Sequence, residues 1–177
     1  MGLLKKLVIA FGVVMAGIVA IGFSLPDDYE VKRSIVIEAA PEEIYPEVVN
    51  LKAWSSWGVW FQRDPNMQIE YGGPDRAIGM YSRWESDSQG DGEMEITELA
   101  HNRKVVYALR FPDYEMDSSG KIVLEQTQDG TRVTWLDSGE VGDNPVNRYI
   151  ALMIDDMIGP DFETGLENLK TVVENKS

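Results

Sequence analysis

The chain has 177 residues, and its 30 acidic residues against 16 basic ones give a formal net charge of −14. That charge argues against nucleic-acid binding, which needs basic side chains to neutralise phosphates. With no cysteine and one histidine, the sequence excludes disulfides, thiol nucleophiles and any metal site that needs cysteines or two histidines. No phosphate loop, Ser-His-Asp order or ligand-spaced acidic cluster is present, so we expect neither a metal nor a cofactor.

The N-terminal segment is apolar. Lys5 and Lys6 are followed by a run from Leu7 to Leu25 without a charged residue. At about 1.5 Å per residue this run would make a helix of roughly 28 Å, about the thickness of the hydrocarbon core of a bilayer. We therefore predict a transmembrane anchor over residues 1–25 and one domain over residues 26–177. The alternative is a cleaved signal peptide, whose apolar region is usually shorter, about 7–15 residues.

The charges on either side of this segment bear on orientation. Lys5 and Lys6 favour a cytoplasmic N-terminus, which places the domain on the periplasmic or extracellular side of a single-pass protein, although Lys32 and Arg33 oppose that bias. The rest of the chain has 14 basic and 30 acidic residues, a net −16. We expect such a domain to be repelled by anionic headgroups and to be held near the bilayer by its tether alone.

The first elements of the domain are short. Residues 30–38 read as a strand because their second half is β-branched. A helix then begins near Pro41, since proline and the acidic Glu42 and Glu43 favour a helix N-terminus. Pro46 limits or bends this helix. A second short helical segment is predicted over residues 51–57.

The middle of the chain alternates apolar and polar residues with period two, which indicates strands. Turns are signalled at residues 89–92, 118–120 and 129–130, so we predict an antiparallel meander of about six strands. The residues that define the predicted strands are Ile78, Met80 and Trp84; Met94 and Ile96; Val105, Tyr107, Leu109 and Phe111; Ile122 and Leu124; Val133 and Trp135.

After residue 145 the pattern becomes helical through Val173, and Phe162, Leu166 and Leu169 share its apolar face. Gly159 and Pro160 should kink this helix or split it in two.

This order of elements, with several local motifs, resembles the START-like or SRPBCC superfamily, in its polyketide cyclase/dehydrase branch. The motifs are Arg33-Ser34-Ile35-Val36-Ile37-Glu38-Ala39-Ala40-Pro41-Glu42-Glu43-Ile44-Tyr45, Trp54-Ser55-Ser56-Trp57 with Asp64-Pro65, Gly73-Pro74 with Gly79 and Trp84, and Gly159-Pro160-Asp161-Phe162-Glu163-Thr164-Gly165-Leu166-Glu167-Asn168-Leu169-Lys170. The resemblance implies an α+β helix-grip fold, in which a curved antiparallel sheet wraps around a long C-terminal helix, here preceded by one transmembrane helix. It also implies a hydrophobic cavity between sheet and helix. It does not by itself imply a cyclase.

The candidate ligand-binding residues are long apolar and aromatic side chains, which bury a large area and, in the case of methionine, adapt to varied ligands. The other interpretation of each is an ordinary filled core. Trp54, Trp57, Trp60 and Phe61 either form a rim over the cavity or plug the open end of the sheet. The full set is Trp60, Phe61, Met80, Trp84, Met94, Tyr107, Leu109, Phe111, Trp135, Met153, Met157 and Phe162.

Possible polar groups of the cavity are Arg83, Glu95 and Arg110, and Arg83 and Glu95 could meet across neighbouring strands. The alternative is a solvated sheet face with exposed ion pairs. Further acid–base candidates are Asp155 and Asp156 on the long helix and His101, which we expect to be exposed in a turn.

These features favour a membrane-anchored module that binds or transports a hydrophobic small molecule or lipid between the sheet and the C-terminal helix. One alternative is an enzyme of cyclase, hydratase or isomerase type, which would need an inward-facing acid or base with a shifted pKa. Another is a protein-interaction module, which would need an exposed patch over residues 54–61. The sequence leaves the oligomeric state open.

Overall fold

The computed structural model describes residues 2–112 and 116–176, with the side chain of Met116 left out. In this part of the chain, an N-terminal helix precedes an α+β domain built on one sheet. The helices are α1 (Leu3–Gly22), α2 (Pro41–Val49), a 3₁₀ helix (Leu51–Ser56), α3 (Val59–Arg63) and α4 (Asn147–Glu174). The strands are β1 (Asp28–Ile37), β2 (Gln68–Gly72), β3 (Tyr81–Glu85), β4 (Gly92–Ala100), β5 (Lys104–Phe111), β6 (Met116–Thr127) and β7 (Gly130–Glu140).

The strands form one antiparallel sheet in the order β1-β7-β6-β5-β4-β3-β2. Strand β1 therefore forms one edge of the sheet and pairs with the last strand, β7, with Ile35 opposite Val133. Helix α4 buries Phe162, Leu166 and Leu169, the face expected from its spacing. The helix-grip arrangement expected from the resemblance is confirmed.

The core lies between the sheet and α4, and indole rings fill its centre. Trp54 and Trp57 are 2% and 0% exposed, and their ring centroids lie 4.5 Å apart. Trp135 meets the Trp54 ring edge-on at 5.6 Å. The indole of Trp54 donates to the carbonyl of Val48 at 3.0 Å, so its polar edge is satisfied inside the core. Trp54 and Trp57 therefore plug the domain instead of forming a rim.

Three strand predictions need correction. No predicted strand corresponds to β2, Ile78 and Met80 lie before β3 instead of in it, and residues 118–120 lie inside β6 instead of in a turn. The glycine there has a packing role, because a Cβ on Gly120 would lie 1.9 Å from the ring carbon Cζ of Tyr107. The predicted turns at 89–92 and 129–130 do connect β3 to β4 and β6 to β7.

Helix α4 runs unbroken through Gly159 and Pro160, so the predicted split is wrong. Pro160 lies on the exposed face of α4, whereas Gly159 is buried and faces the sheet. A Cβ on Gly159 would lie 1.9 Å from Nη2 of Arg33 in β1, so the small residue makes room for that guanidinium. Pro46 likewise lies inside α2, which is short.

Helix α1 begins before the start of the predicted apolar run and ends before the end of that run. It includes Lys5 and Lys6, and it stops at Gly22 instead of Leu25. Gly22 is its one buried residue among those described. Within residues 2–112 and 116–176, α1 is the helix that is long and apolar enough to cross a membrane, a property that spans share with signal sequences.

Candidate functional site

A cavity of about 310 Å³ lies between the sheet and α4. Its volume falls at the lower end of the roughly 300–1,000 Å³ typical of small-molecule sites. Most of its wall is apolar because strands β3, β4 and β5 point alternate side chains inward. The predicted residues that line it are Trp60, Phe61, Trp84, Met94, Tyr107, Leu109, Phe111 and Phe162.

Met80 and Trp135 belong to the core behind the cavity and do not line it. Both are 1% exposed. The ring of Phe162 stacks on Trp135 with centroids 4.2 Å apart and thereby covers it. Trp135 points inward, as predicted, but the Phe162 ring lies between it and the cavity.

Met153 and Met157 were expected in the cavity wall, and the structure places them in solvent, 58% and 64% exposed. They lie on the side of α4 that faces away from the sheet. Successive residues turn by about 100° around a helix, so the neighbouring Ile154 and Ile158 point inward instead. Ile154 is buried, and Ile158 lines the cavity.

The predicted polar groups Arg83, Glu95 and Arg110 lie on the outer face of the sheet. Side chains alternate along a strand, and the cavity takes Ser82 and Trp84 in β3, so Arg83 must point outward. The predicted partner is also wrong, since Arg83 is opposite Glu93 in the register and donates its Nε hydrogen bond to that carboxylate.

The remaining acid–base candidates are also outside the cavity. Asp155 accepts a hydrogen bond from Nη1 of Arg33 at 2.7 Å, which lowers the pKa of its carboxyl. Asp156 is exposed. His101 is exposed in the turn between β4 and β5, as expected, with its ring 5.2 Å from that of Tyr45.

One end of the cavity carries a buried carboxyl that sequence reasoning missed. Asp137 is 4% exposed and lines the cavity together with Tyr29 and Ser118. The hydroxyl of Tyr29 donates to Oδ1 of Asp137 at 3.3 Å, and the hydroxyl of Ser118 donates to Oδ2 at 3.1 Å. Burial raises the pKa of Asp137 to about 6, although both hydrogen bonds oppose the shift. Burial, reinforced by the charge of Asp137, raises the pKa of Tyr29 to about 12.

A signal for Asp137 was present in the sequence. It continues the period-two series of Val133 and Trp135, so it points to the same face as those buried side chains. Its partners carry no such signal, because residues 118–120 have the composition of a turn and Tyr29 precedes the predicted first strand. Only the pairing of β1 and β6 with β7 brings the three together.

An ion pair closes the cavity between α3 and α4. Nη1 of Arg63 donates to Oδ2 of Asp161 at 2.7 Å, and both residues line the cavity. This contact raises the pKa of Arg63. Arg63 ends the short helix that carries Trp60 and Phe61, so the pair holds that aromatic wall against α4.

The arrangement suits an apolar ligand with one polar group. The aromatic walls take the apolar part, and Asp137 can accept a hydrogen bond when ionised or donate one when protonated. Among residues 2–112 and 116–176, no group of three or more histidine or acidic side chains is placed to hold a metal ion.

Solved structures with similar folds cover most of the chain. A protein of unknown function, SA2116 from Staphylococcus aureus, is 15% identical, with 84% of this chain and 95% of that one aligned and a TM-score of 0.65. Protein MLL2253 from Mesorhizobium loti is 16% identical over 84% and 98% of the two chains, with a TM-score of 0.61. These identities demonstrate a shared fold and nothing more about activity.

The di-domain ARO/CYC protein StfQ of the steffimycin biosynthetic pathway gives a TM-score of 0.64 at 10% identity, covering 84% of this chain and 51% of StfQ. No curated protein matches the sequence. The profile of one family, described as polyketide cyclase / dehydrase and lipid transport, matches residues 28–174. That match spans the whole domain, from β1 to the end of α4. The chain therefore belongs to the polyketide cyclase / dehydrase and lipid transport family, within the SRPBCC superfamily.

Proposed function

We propose that the protein binds a hydrophobic small molecule or lipid in the cavity between its sheet and α4. The observation that carries this proposal is the aromatic and aliphatic lining of a cavity of about 310 Å³. Each Å² of apolar surface removed from water contributes about 25 cal/mol, which drives binding without a charged anchor. Asp137 then orients the ligand through its polar group.

The proposal includes an anchor at residues 1–25 and a ligand-binding domain at residues 26–177, on the outer side of the membrane. The exposed apolar surface of α1 supports the anchor, because a surface of that size is rarely left in water. Measuring the intact mass of the protein in the membrane fraction tests it. A mass that includes residues 1–25 supports the anchor, and a shortened soluble chain supports the signal peptide.

Native mass spectrometry of the full chain, released from detergent micelles after expression in cells, tests ligand binding. Leu109→Trp places a bulky ring in the cavity from strand β5. Val106→Trp is its matched control, because Val106 lies on the opposite face of the same strand. We expect a bound small molecule on the wild type and on the control but not on Leu109→Trp.

Lipids that adhere to α1 should remain on all three proteins, so the comparison isolates the cavity. If the spectra of the wild type and Leu109→Trp carry the same adducts, the cavity does not bind a ligand that survives purification, and the proposal fails.

A second candidate function is catalysis of cyclase, hydratase or isomerase type. Asp137 favours it, since a buried acid with a pKa near 6 can give or take a proton at neutral pH. Incubating a cell extract with wild type or Asp137→Asn and comparing metabolites tests this. A compound consumed by the wild type alone would support catalysis. A ligand bound equally by both proteins, with nothing consumed, would leave binding as the function.

The burial of Trp54 and Trp57 argues against a third function, docking of a partner protein on the segment that contains them, because such docking would need exposed rings.

A further inference from the structure

The N-terminal half of α4 exposes an apolar sector that no part of the described fold covers. Val146, the N-cap residue just before α4, and Ile150, Met153 and Met157 within it are each about half exposed or more. At about 100° per residue, all four project within roughly 60° of the direction of Met153. Asp156 is the one charged residue in the same sector.

This sector begins beside the C-terminal end of α1. The hydroxyl of Tyr149 donates to the carbonyl of Ile18 at 2.6 Å. Nη1 of Arg148 donates to the carbonyls of Phe23 and Leu25 at 3.1 and 3.0 Å, while its Nη2 pairs with Asp27 at 3.2 Å. The start of α4 is thus bound to the last turn of α1 and to the linker that follows it.

The depth of that contact places α4 relative to a bilayer. Ile18 lies four residues before the end of α1 at Gly22, which is about 6 Å along the axis at about 1.5 Å per residue. The uncharged part of the helix, Leu7–Gly22, is only about 24 Å long, shorter than a hydrocarbon core of about 30 Å. A hydrocarbon core of that thickness centred on Leu7–Gly22 extends about 3 Å past Gly22, and it includes the level of Ile18, to which Tyr149 of α4 is bonded.

We propose that the exposed sector of α4 enters the apolar edge of the bilayer, so that the domain docks on the membrane instead of hanging from a free tether. This inference rests on the proposed anchor role of α1. It replaces the expectation from net charge, since an apolar sector needs no attraction to headgroups and Asp156 is the one carboxylate within it. It also brings the cavity toward the lipid, because Ile158, the neighbour of Met157, lines the cavity.

The absence of cysteine allows a direct test with single labelled cysteines in the full chain. Met153→Cys, carrying an environment-sensitive fluorophore, reports on the sector. Gly12→Cys reports on the middle of α1, and Gln128→Cys, in the exposed turn between β6 and β7, is the aqueous control. Each protein is placed, one copy per disc, in phosphatidylcholine nanodiscs with or without lipids that carry a quencher on their acyl chains.

We expect lipid quenching and a blue-shifted emission at positions 12 and 153, and neither at position 128. Quenching at 12 without quenching at 153 would overturn the docking inference and leave the anchor intact. No quenching at 12 would overturn the anchor itself. A label at 153 that is shielded from aqueous iodide but not quenched by lipid would mean that protein covers the sector, which also contradicts the inference.

Discussion

Replacing Asp137 by asparagine should remove a pH-dependent loss of stability. Burial raises the pKa of this carboxyl from 3.8 to about 6 in the folded protein. The folded state therefore holds the proton more tightly than the unfolded chain does. Well below pH 3.8 the carboxyl is protonated in both states, so its burial carries no charge penalty. As the pH rises through 6, the folded protein must bury a carboxylate, and stability falls.

The size of the effect follows from the shift. About 2 pKa units at about 1.4 kcal/mol each correspond to about 3 kcal/mol of unfolding free energy, with most of the change between pH 4 and 7. The wild type should therefore lose about 3 kcal/mol relative to Asp137→Asn across that range. Any difference in how Tyr29 and Ser118 bond the amide adds a constant, which leaves the pH dependence unchanged.

Urea unfolding in detergent micelles at a series of pH values measures this difference. Tryptophan fluorescence suits the assay, because all 5 tryptophans lie after residue 53 and report on the domain without α1. If the two stability profiles run parallel between pH 4 and 7, Asp137 is solvated in the folded protein, and both its buried placement and the acid–base hypothesis are refuted.

Three further substitutions compare the stability contributed by the core with that contributed by the outer face of the sheet. Tyr107→Phe removes the hydroxyl that accepts a hydrogen bond from the buried Trp135 indole at 2.8 Å. The free energy of unfolding should therefore fall by about 1–3 kcal/mol. Urea denaturation measures this loss, and an unchanged free energy of unfolding would contradict the hydrogen bond. Gly120→Ala should destabilise the domain and lower its Tm, since its Cβ would meet the Tyr107 ring; a wild-type Tm would show that the ring can move aside. Arg83→Ala should leave the Tm close to that of the wild type, because its pair with Glu93 is exposed to water; a clear loss of Tm would show that this pair stabilises the sheet.

Local periodicity explains why most of the fold could be predicted. Side chains alternate along strands and recur every three or four residues on helices, so the inward series ending at Phe111 and the buried face of α4 were readable. The cavity members Leu109 and Phe111 follow from the same rule. A resemblance to a known family supplied the order in which these elements pack.

The missed features depend on residues far apart in the chain. Asp137 becomes a buried acid because β1 and β6 flank β7 and bring Tyr29 and Ser118 to it. Ser118 looked like a turn residue, since local composition does not reveal that the Tyr107 ring requires a glycine at position 120.

The sequence by itself determined the class of molecule: an acidic, cysteine-free α+β domain of this family behind an apolar helix, because charge, composition and periodicity are local properties. Tertiary structure decided which side chains face the empty space. Met153 and Met157, which were predicted to line the cavity, lie on the exposed surface of α4, and Asp137 lies at one end of the cavity. Burial arises from pairings across the whole chain, and no single segment carries that information.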